Sequence, residues 1–523
     1  MACLLLIICV VETNDLAHSF ESEYFDLSGA RLLIYIVAYN AEKTISQVLN
    51  RIPVCLRQPG VEVLVIDDSS RDGTFSAGRQ AIVHGLKMTV LRNPVNQGYG
   101  GNQKLGYRYA IENGFDIVAL VHGDGQYAPE KLPELLQPLI DGTADAVFGS
   151  RMLLPGAARR GGMPAYKFIG NRILSIVQNW LLRASLSEFH SGYRLYTVNA
   201  LRQIPFERNT RDFHFDTEII AQLLLRKFRI AEVPIPTYYG EEICHVNGLK
   251  YAWDVIRTSI RVRLHLLNLL YDRKFEVGRI EEKYTLKLGY SSSHTDALAA
   301  VRKKGKILDL GCGEGYWAEE AALRGAQVTG LDQFAPIATP SAHNVKYLRA
   351  NLNDAVLPTL PSEYDQIFML DIIEHLKDPE EFLENLRSAS GRKRPELILT
   401  TANVGFIVTR LMLLFGQFNY GRKGILDRTH TRLFTFQTLR KALEETGYEV
   451  EEVHGIPAPI PAALGNNFLS HGLMLLNRCL IRLSRGLFSY QIFLKAKATP
   501  TIENLLGETI DASSKLAWSL ENN

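Results

Sequence analysis

Short runs of consecutive apolar residues recur along the chain, each closing on glycine or acidic residues and giving way to helical spacing. Residues 32–37, 61–66 and 117–121 begin one such series, and 306–310, 328–331 and 368–370 begin a second. Unbroken apolar runs of this length mark strands buried on both faces, and their alternation with helices predicts parallel α/β sheets. Ligands bind such sheets beyond the carboxyl ends of the strands, so the polar residues closing each run are where chemistry is expected. The first series covers about 31–240 and the second about 304–498. The expected division is an extension at 1–29, a first domain at 30–246, an amphipathic helix and connector at 247–296, a second domain at 297–498 with a helical insertion about 460–486, and a tail at 499–523.

Composition narrows the function classes. The chain has 523 residues, 46% of them hydrophobic, and 58 lysines and arginines nearly balance 56 aspartates and glutamates. That length suits several domains, and that balance argues against disorder and against nucleic acid as a whole-chain partner. Cys3, Cys9, Cys55, Cys244, Cys312 and Cys479 form no Cys-x-x-Cys pair, so no disulfide framework or zinc knuckle is readable. A cytoplasmic, reducing setting is expected. No apolar run reaches the ~18–20 residues of a membrane-spanning helix. Residues 4–11 lack a basic leader and a cleavage site, which argues against a signal peptide.

In the first series, strand 32–37 leads into Ala38-Tyr39-Asn40-Ala41-Glu42, and strand 61–66 ends in Asp67-Asp68-Ser69-Ser70. Paired carboxylates at a strand end need donors or a cation, which a nucleoside would supply in part. Asn96-Gln97-Gly98-Tyr99-Gly100-Gly101 is a glycine-rich loop entering a helix, where N–H groups can approach phosphates. Strand 117–121 delivers His122-Gly123-Asp124-Gly125-Gln126, whose carboxylate and amide oxygens suit a hard divalent cation on a diphosphate.

Together with Gly149-Ser150-Arg151, Ser191-Gly192-Tyr193-Arg194 and Phe213-His214-Phe215-Asp216-Thr217-Glu218, these motifs resemble family 2 glycosyltransferases of GT-A fold, near dolichyl-phosphate mannosyltransferase, over about 31–240. The resemblance implies that Tyr39, Asp67 and Asp68, with Glu42 and Gly98, hold a nucleotide sugar. It implies that Asp124 and Gln126 hold Mg²⁺ or Mn²⁺, and that Glu188 lies near the transfer centre to activate or orient the acceptor. Inversion by direct displacement would follow. The chain departs from the family at Val37, Ala41 and His122, the last standing where an aspartate is usual. Tyr166, Phe168 and Trp180 are read as core packing or as an acceptor channel.

In the second series, strand 306–310 runs into Gly311-Cys312-Gly313-Glu314-Gly315, and strand 328–331 ends at Asp332. Glycines permit close approach of a ligand, and an acidic residue ~20 positions on can receive ribose hydroxyls. With Asn351-Leu352-Asn353-Asp354 and Asp371-Ile372-Ile373-Glu374-His375, the pattern resembles the class I S-adenosylmethionine-dependent methyltransferases over about 304–456, with a final strand near 490–496. The resemblance implies a Rossmann-like domain in which Asp309, Gly311 and Gly313 meet the methionine end of the cofactor, Asp332 the ribose and Asp354 the adenine, while Asp371 closes the pocket. Methyl transfer to a hydroxyl needs a base, for which His375 and His430 are candidates. The Asp371-x-x-Glu374-His375 spacing resembles metal-assisted quinone O-methyltransferases, with Asp371 in place of their glutamate. Cys312 reads as a small filler.

Arg257, Arg261 and His265 recur every four residues in the apolar helix 249–271, and Arg478, Arg482 and Arg485 mark a second such segment, 468–485. These are read either as core-packing helices with solvated arginines or as peripheral contacts with an anionic bilayer at the cytoplasmic face. The chain therefore reads as a bifunctional transferase that uses a nucleotide sugar, a divalent cation and S-adenosylmethionine, with a glycan or polyprenyl-phosphate acceptor. The alternatives are a polyprenyl-phosphate glycosyltransferase fused to an unrelated methyltransferase, or a scaffold with a degenerate first half.

Overall fold

The computed structural model describes residues 24–237, 247–267, 270–278, 286, 288–336, 343, 345–354, 357–461, 465 and 467–521. Most of the expected extension at 1–29 lies outside them. The chain divides into two compact units, one of residues 1–266 and 272–281 and one of residues 267–271 and 282–523.

The first unit holds a seven-stranded sheet of β1 (Leu32–Ala38), β2 (Val61–Asp67), β3 (Lys87–Arg92), β4 (Ile117–His122), β5 (Ala146–Ser150), β6 (Arg194–Thr197) and β7 (Ile230–Pro234). The order is β3-β2-β1-β4-β6-β5-β7, with β6 antiparallel to both neighbours. Side chains alternate across β1: Leu32, Ile34 and Ile36 enter one core and Leu33 and Tyr35 the other, so the strand needs apolar residues at every position. Helix Gly248–Leu266, expected as part of a connector, lies in this unit, where Val262 joins the second core with Phe275 and Val277. Its polar stripe is partly spent there, since Arg261 pairs with Asp272 at 2.9 Å and His265 Nδ1 accepts from Asp272 N–H at 3.1 Å.

The second unit holds β8 (Lys306–Leu310), β9 (Gln327–Asp332), β10 (Lys346–Arg349), β11 (Gln366–Leu370), β12 (Glu396–Ala402), β13 (Tyr448–Ile456) and β14 (Gln491–Ala498). Their order is β10-β9-β8-β11-β12-β14-β13, with β14 antiparallel to β12 and β13. The chain passes from β13 to β14 through the expected helical insertion, whose main helix is Phe468–Leu483. Both units are α/β, with the GT-A arrangement first and the Rossmann-like one second.

Candidate active sites

In the first unit the carboxyl ends of β1, β2 and β4 lie side by side, since Ala38 pairs with Asp67 and Val37 with His122 in parallel strands. The turns after β1 and β2 clasp each other. Asn40 N–H donates to Ser70 Oγ at 2.8 Å, Arg71 N–H donates to Asn40 Oδ1 at 3.1 Å, and Gly73 N–H donates to Glu42 Oε2 at 2.9 Å. Glu42 is thus a strap between loops, and Tyr39 stands exposed at the rim.

Asp67 is buried, accepting from Ser70 N–H at 3.0 Å and lying 3.4 Å from Arg92 Nε. Asp68 is spent on folding the glycine-rich loop. It accepts from Asn93 Nδ2 at 2.7 Å, Gln97 N–H at 2.8 Å and Gly98 N–H at 3.0 Å. The Gln97 and Gly98 amides that the sequence offers to a phosphate therefore face this carboxylate instead.

Asp124 sits exposed on the turn after β4, its Oδ1 accepting from Gln126 N–H at 3.0 Å and its other oxygen without a hydrogen bond among the described residues. His122 packs edge-on between Tyr99 and Tyr127, with ring centroids 5.7 and 5.0 Å away. A Cβ on Gly192 would fall 2.6 Å from the imidazole, so the motif glycine is the residue that admits the ring. Burial holds the His122 pKa below its ordinary value despite the opposing charge of Asp124, and Nε2 is buried without a hydrogen-bond partner. A neutral imidazole stands where the resemblance drawn from the sequence implies a carboxylate.

Glu188 is fully buried beneath Arg151. Arg151 N–H donates to it at 2.7 Å, Arg151 Nε at 3.0 Å and Asn171 Nδ2 at 2.7 Å, with Arg151 Nη2 also bonded. Burial alone would raise the carboxyl pKa, but the Arg151 charge and these donors outweigh it and hold it below the ordinary range. So saturated a carboxylate is a poor proton acceptor, and what it holds in place is Arg151. His190 lies alongside, its Nδ1 2.8 Å from Tyr251 Oη on helix Gly248–Leu266, and burial pushes its pKa down to about 4. Arg194 donates to Phe189 O at 2.7 Å and Ser191 O at 2.8 Å and lies 3.5 Å from Asp216 Oδ2, which accepts from Tyr99 Oη at 2.9 Å. Sequence reasoning missed Asn171, His190 and Tyr251; the Gly149-Ser150-Arg151 motif was the available signal for Arg151.

In the second unit Asp309, Asp332 and Asp371 stand at or just past the carboxyl ends of β8, β9 and β11. Asp309 is buried with neither a hydrogen bond nor an ion pair among the described residues, and burial followed by the charge of Asp332 pushes its pKa up to about 7. Asp332 accepts from Gly313 N–H at 3.1 Å and Phe334 N–H at 2.7 Å. Gly311 has φ +82°, and a Cβ there would meet Ile372 at 2.1 Å, so the turn requires glycine. Asp354 is exposed after β10, with Oδ1 3.3 Å from Asn351 Nδ2.

Asp371 accepts from Thr400 Oγ1 at 2.9 Å and from Gln491 Nε2 at 2.7 Å, tying β11 to β12 and β14. Glu374 is buried with an unpartnered Oε2, its pKa pushed up to about 8 by burial and then by Asp371. The His375 and His430 rings meet edge to face, 4.8 Å apart. Their Nδ1 atoms lie 3.2 Å from Thr429 O and 3.0 Å from Ile425 O. A nitrogen donating to a carbonyl carries the ring proton, which leaves Nε2 as the basic atom in both. Burial and then His375 lower the His430 pKa. Burial pushes the Cys312 thiol up, which keeps it from being a thiolate nucleophile. Among the described residues, Asp371, Glu374 and His375 form no convergent metal-ligand cluster, whereas Asp212, His214 and Asp254 bring ligand atoms within 4.8 Å of one another.

Two strand-end clefts on two α/β sheets define a chain of two transferase domains. A model of glycosyl transferase family 2 matches residues 33–204, and a methyltransferase domain model matches residues 284–453. An undecaprenyl-phosphate mannosyltransferase of Micrococcus luteus is 31% identical over 44% of this chain and 99% of its own length. A UDP-N-acetylglucosamine–dolichyl-phosphate N-acetylglucosaminyltransferase of Methanococcus voltae is 28% identical over 40% of this chain and 87% of its own. A ubiquinone biosynthesis O-methyltransferase of Pseudomonas putida is 33% identical over 24% of this chain and 55% of its own. The chain belongs to glycosyl transferase family 2 and carries a methyltransferase domain after it.

Proposed function

We propose that the first unit moves a sugar from a nucleoside diphosphate to a lipid-borne phosphate at the cytoplasmic face of a membrane, and that the second methylates an oxygen using S-adenosylmethionine. One observation carries the acceptor class. On helix Ala165–Leu182, Asn171 reaches inward to Glu188, while Tyr166, Ile169, Ile173, Ile176 and Trp180 form an exposed apolar stripe, with Trp180 77% exposed. Neither aromatic packs a core. Helix Gly248–Leu266 repeats the arrangement, with Tyr251 on His190 and Leu249 and Trp253 exposed. Helices with one face on the reaction centre and the other apolar suit an acceptor delivered from a bilayer. Among the described residues no helix is long and apolar enough to cross one.

Asp124 and Gln126 would hold Mg²⁺ or Mn²⁺, and the hydrogen-bond-free oxygen of Asp124 fits that use. The ion, when bound, would neutralise charge on the departing diphosphate. Asp67 and Tyr39 would meet the nucleoside. Arg151, held rigid by Glu188, would bind and orient the acceptor phosphate, which at neutral pH is already an anion and needs no base. In the second unit, the buried and unpaired Asp309 suits the cationic end of S-adenosylmethionine, which when bound supplies the methyl group. His375 or His430 would take the acceptor proton at Nε2.

The test is transfer of labelled sugar from nucleotide sugars to polyprenyl phosphate in vesicles with Mn²⁺. Asp124→Ala should lower the rate by about a thousandfold, on the several kcal/mol a metal supplies, and leave S-adenosylhomocysteine affinity unchanged. Transfer to soluble glycan alone would refute the lipid acceptor, and no binding of any nucleotide sugar would favour a scaffold role.

A further inference from the structure

The second unit carries a surface that its methyl-transfer site does not explain. Helix Ile407–Leu414 buries Thr409 alone, and helix Phe468–Leu483 buries only Ser470 and Met474. Between them they and the adjoining residue expose Leu414, Phe415, Phe468, Leu475, Leu476 and Leu483, with Phe415 75% and Phe468 96% exposed. The two segments are joined from beneath. Phe406, Ile407, Val408 and Ala458 share one apolar cluster, Ala458 N–H donates to Asn477 Oδ1 at 2.9 Å, and Asn403 Nδ2 donates to Ser489 O at 2.8 Å. A patch of this kind on a soluble domain marks an interaction surface.

Its charge selects the occupant. No aspartate or glutamate occurs between Glu396 and Asp427 or between Glu452 and Glu503, while Arg410, Arg422, Lys423, Arg478, Arg482 and Arg485 fall inside those stretches. A second copy docking face to face would bring like charges together. An anionic bilayer meets both halves of the pattern, taking the leucine and phenylalanine tips between its head groups and the arginines at their phosphates.

The position of the surface matters as well. The first helix follows β12 and the second precedes β14, whose first residue, Gln491, holds Asp371. The patch therefore adjoins the end of the sheet that carries the methyl-transfer residues. We infer that this face docks the second unit on an anionic bilayer independently of the first unit.

Hydrogen exchange on the full chain tests the docking region by region. Vesicles of mixed phosphatidylglycerol and phosphatidylcholine should slow amide exchange across 407–415 and 468–483 by about fivefold or more, and vesicles of phosphatidylcholine alone should not. Leu475→Glu with Leu476→Glu, both exposed and so tolerated by the fold, should abolish that protection. Trp180→Glu, which disarms the first unit's stripe, should leave it in place. Unchanged exchange at 468–483 while 165–182 becomes protected would overturn the inference and spare the acceptor reading for the first unit. Protection that grows with protein concentration in the absence of vesicles would also overturn it, in favour of an interface between copies.

Discussion

The two clefts treat buried carboxylates in opposite ways. Around the first, Asp67 meets Arg92, Glu188 meets Arg151 and Asp216 meets Arg194, so these three buried charges are matched by arginines, and buried Asp68 is satisfied by the Asn93 side chain and the Gln97 and Gly98 amides. Around the second, Asp309 and Glu374 are buried and, among the described residues, pair with no lysine or arginine, and their pKa values rise to about 7 and about 8. A charge taken from water must be compensated or given up. The first site is thus compensated before a ligand arrives, with Arg151 anchored from behind by Glu188. The second holds uncompensated acid and is completed by a cationic ligand. The contrast matches the proposed substrates, a diphosphate and a phosphate in one case and a sulfonium with an ammonium group in the other.

The sharpest way to break the contrast is to remove a cation from the first cleft. Arg151→Ala leaves Glu188 buried and unpaired, and should destabilise the first unit by about 3–5 kcal/mol in denaturant titration. Adding Glu188→Gln should recover most of that stability without recovering sugar transfer, which separates anchoring from function. In the second cleft, Asp332→Ala should weaken S-adenosylhomocysteine binding by about 1.5–3 kcal/mol by calorimetry, the range of a hydrogen bond to a charged group.

The pH dependence of the second unit tests the uncompensated acid directly. Asp309 binds its proton more tightly folded than unfolded, so its contribution to stability is full below the ordinary carboxylate pKa and is lost as pH rises through about 7. The ligand-free melting point should therefore fall by about 5 °C between mildly acidic and mildly alkaline buffer, and Asp309→Asn should flatten that slope. S-adenosylmethionine affinity should run the other way, weakening below neutrality as the carboxylate is protonated.

The smallest effect is expected at His454, whose hydrogen bond to Asp296, 3.1 Å away, raises its pKa. Its contribution is present below the ordinary histidine pKa and lost as pH rises through the raised value. Since the ring is 40% exposed, His454→Gln should cost well under about 1 kcal/mol in mild acid, and nothing in alkali.

Much of this was legible beforehand because it is local. Apolar runs bounded by glycine and acid specify strands, and the strand-end residues Asp67, Asp124, Asp309 and Asp332 arrive at the carboxyl edges by chain connectivity alone. Roles were less legible than positions. Asp68 stands next to Asp67, yet its oxygens go to Gln97 and Gly98. Glu188 reads as a residue that activates or orients the acceptor until Arg151, 37 residues earlier in the chain, is found donating to it. Tyr166 and Trp180 read as core packing or as an acceptor channel; the fold leaves both exposed, while the buried side chains of their helix are Ser175, Gln178, Leu181 and Leu182.

The amino-acid sequence by itself determined two α/β sheets in order, the edges where ligands would bind and the acidic residues brought there, because strand burial and strand-end placement depend on neighbours in the chain. Tertiary structure alone decided which of those acids are neutralised by an arginine, which wait for a ligand and which helix faces are left bare. Solvation and charge pairing depend on groups that folding brings together from distant parts of the chain.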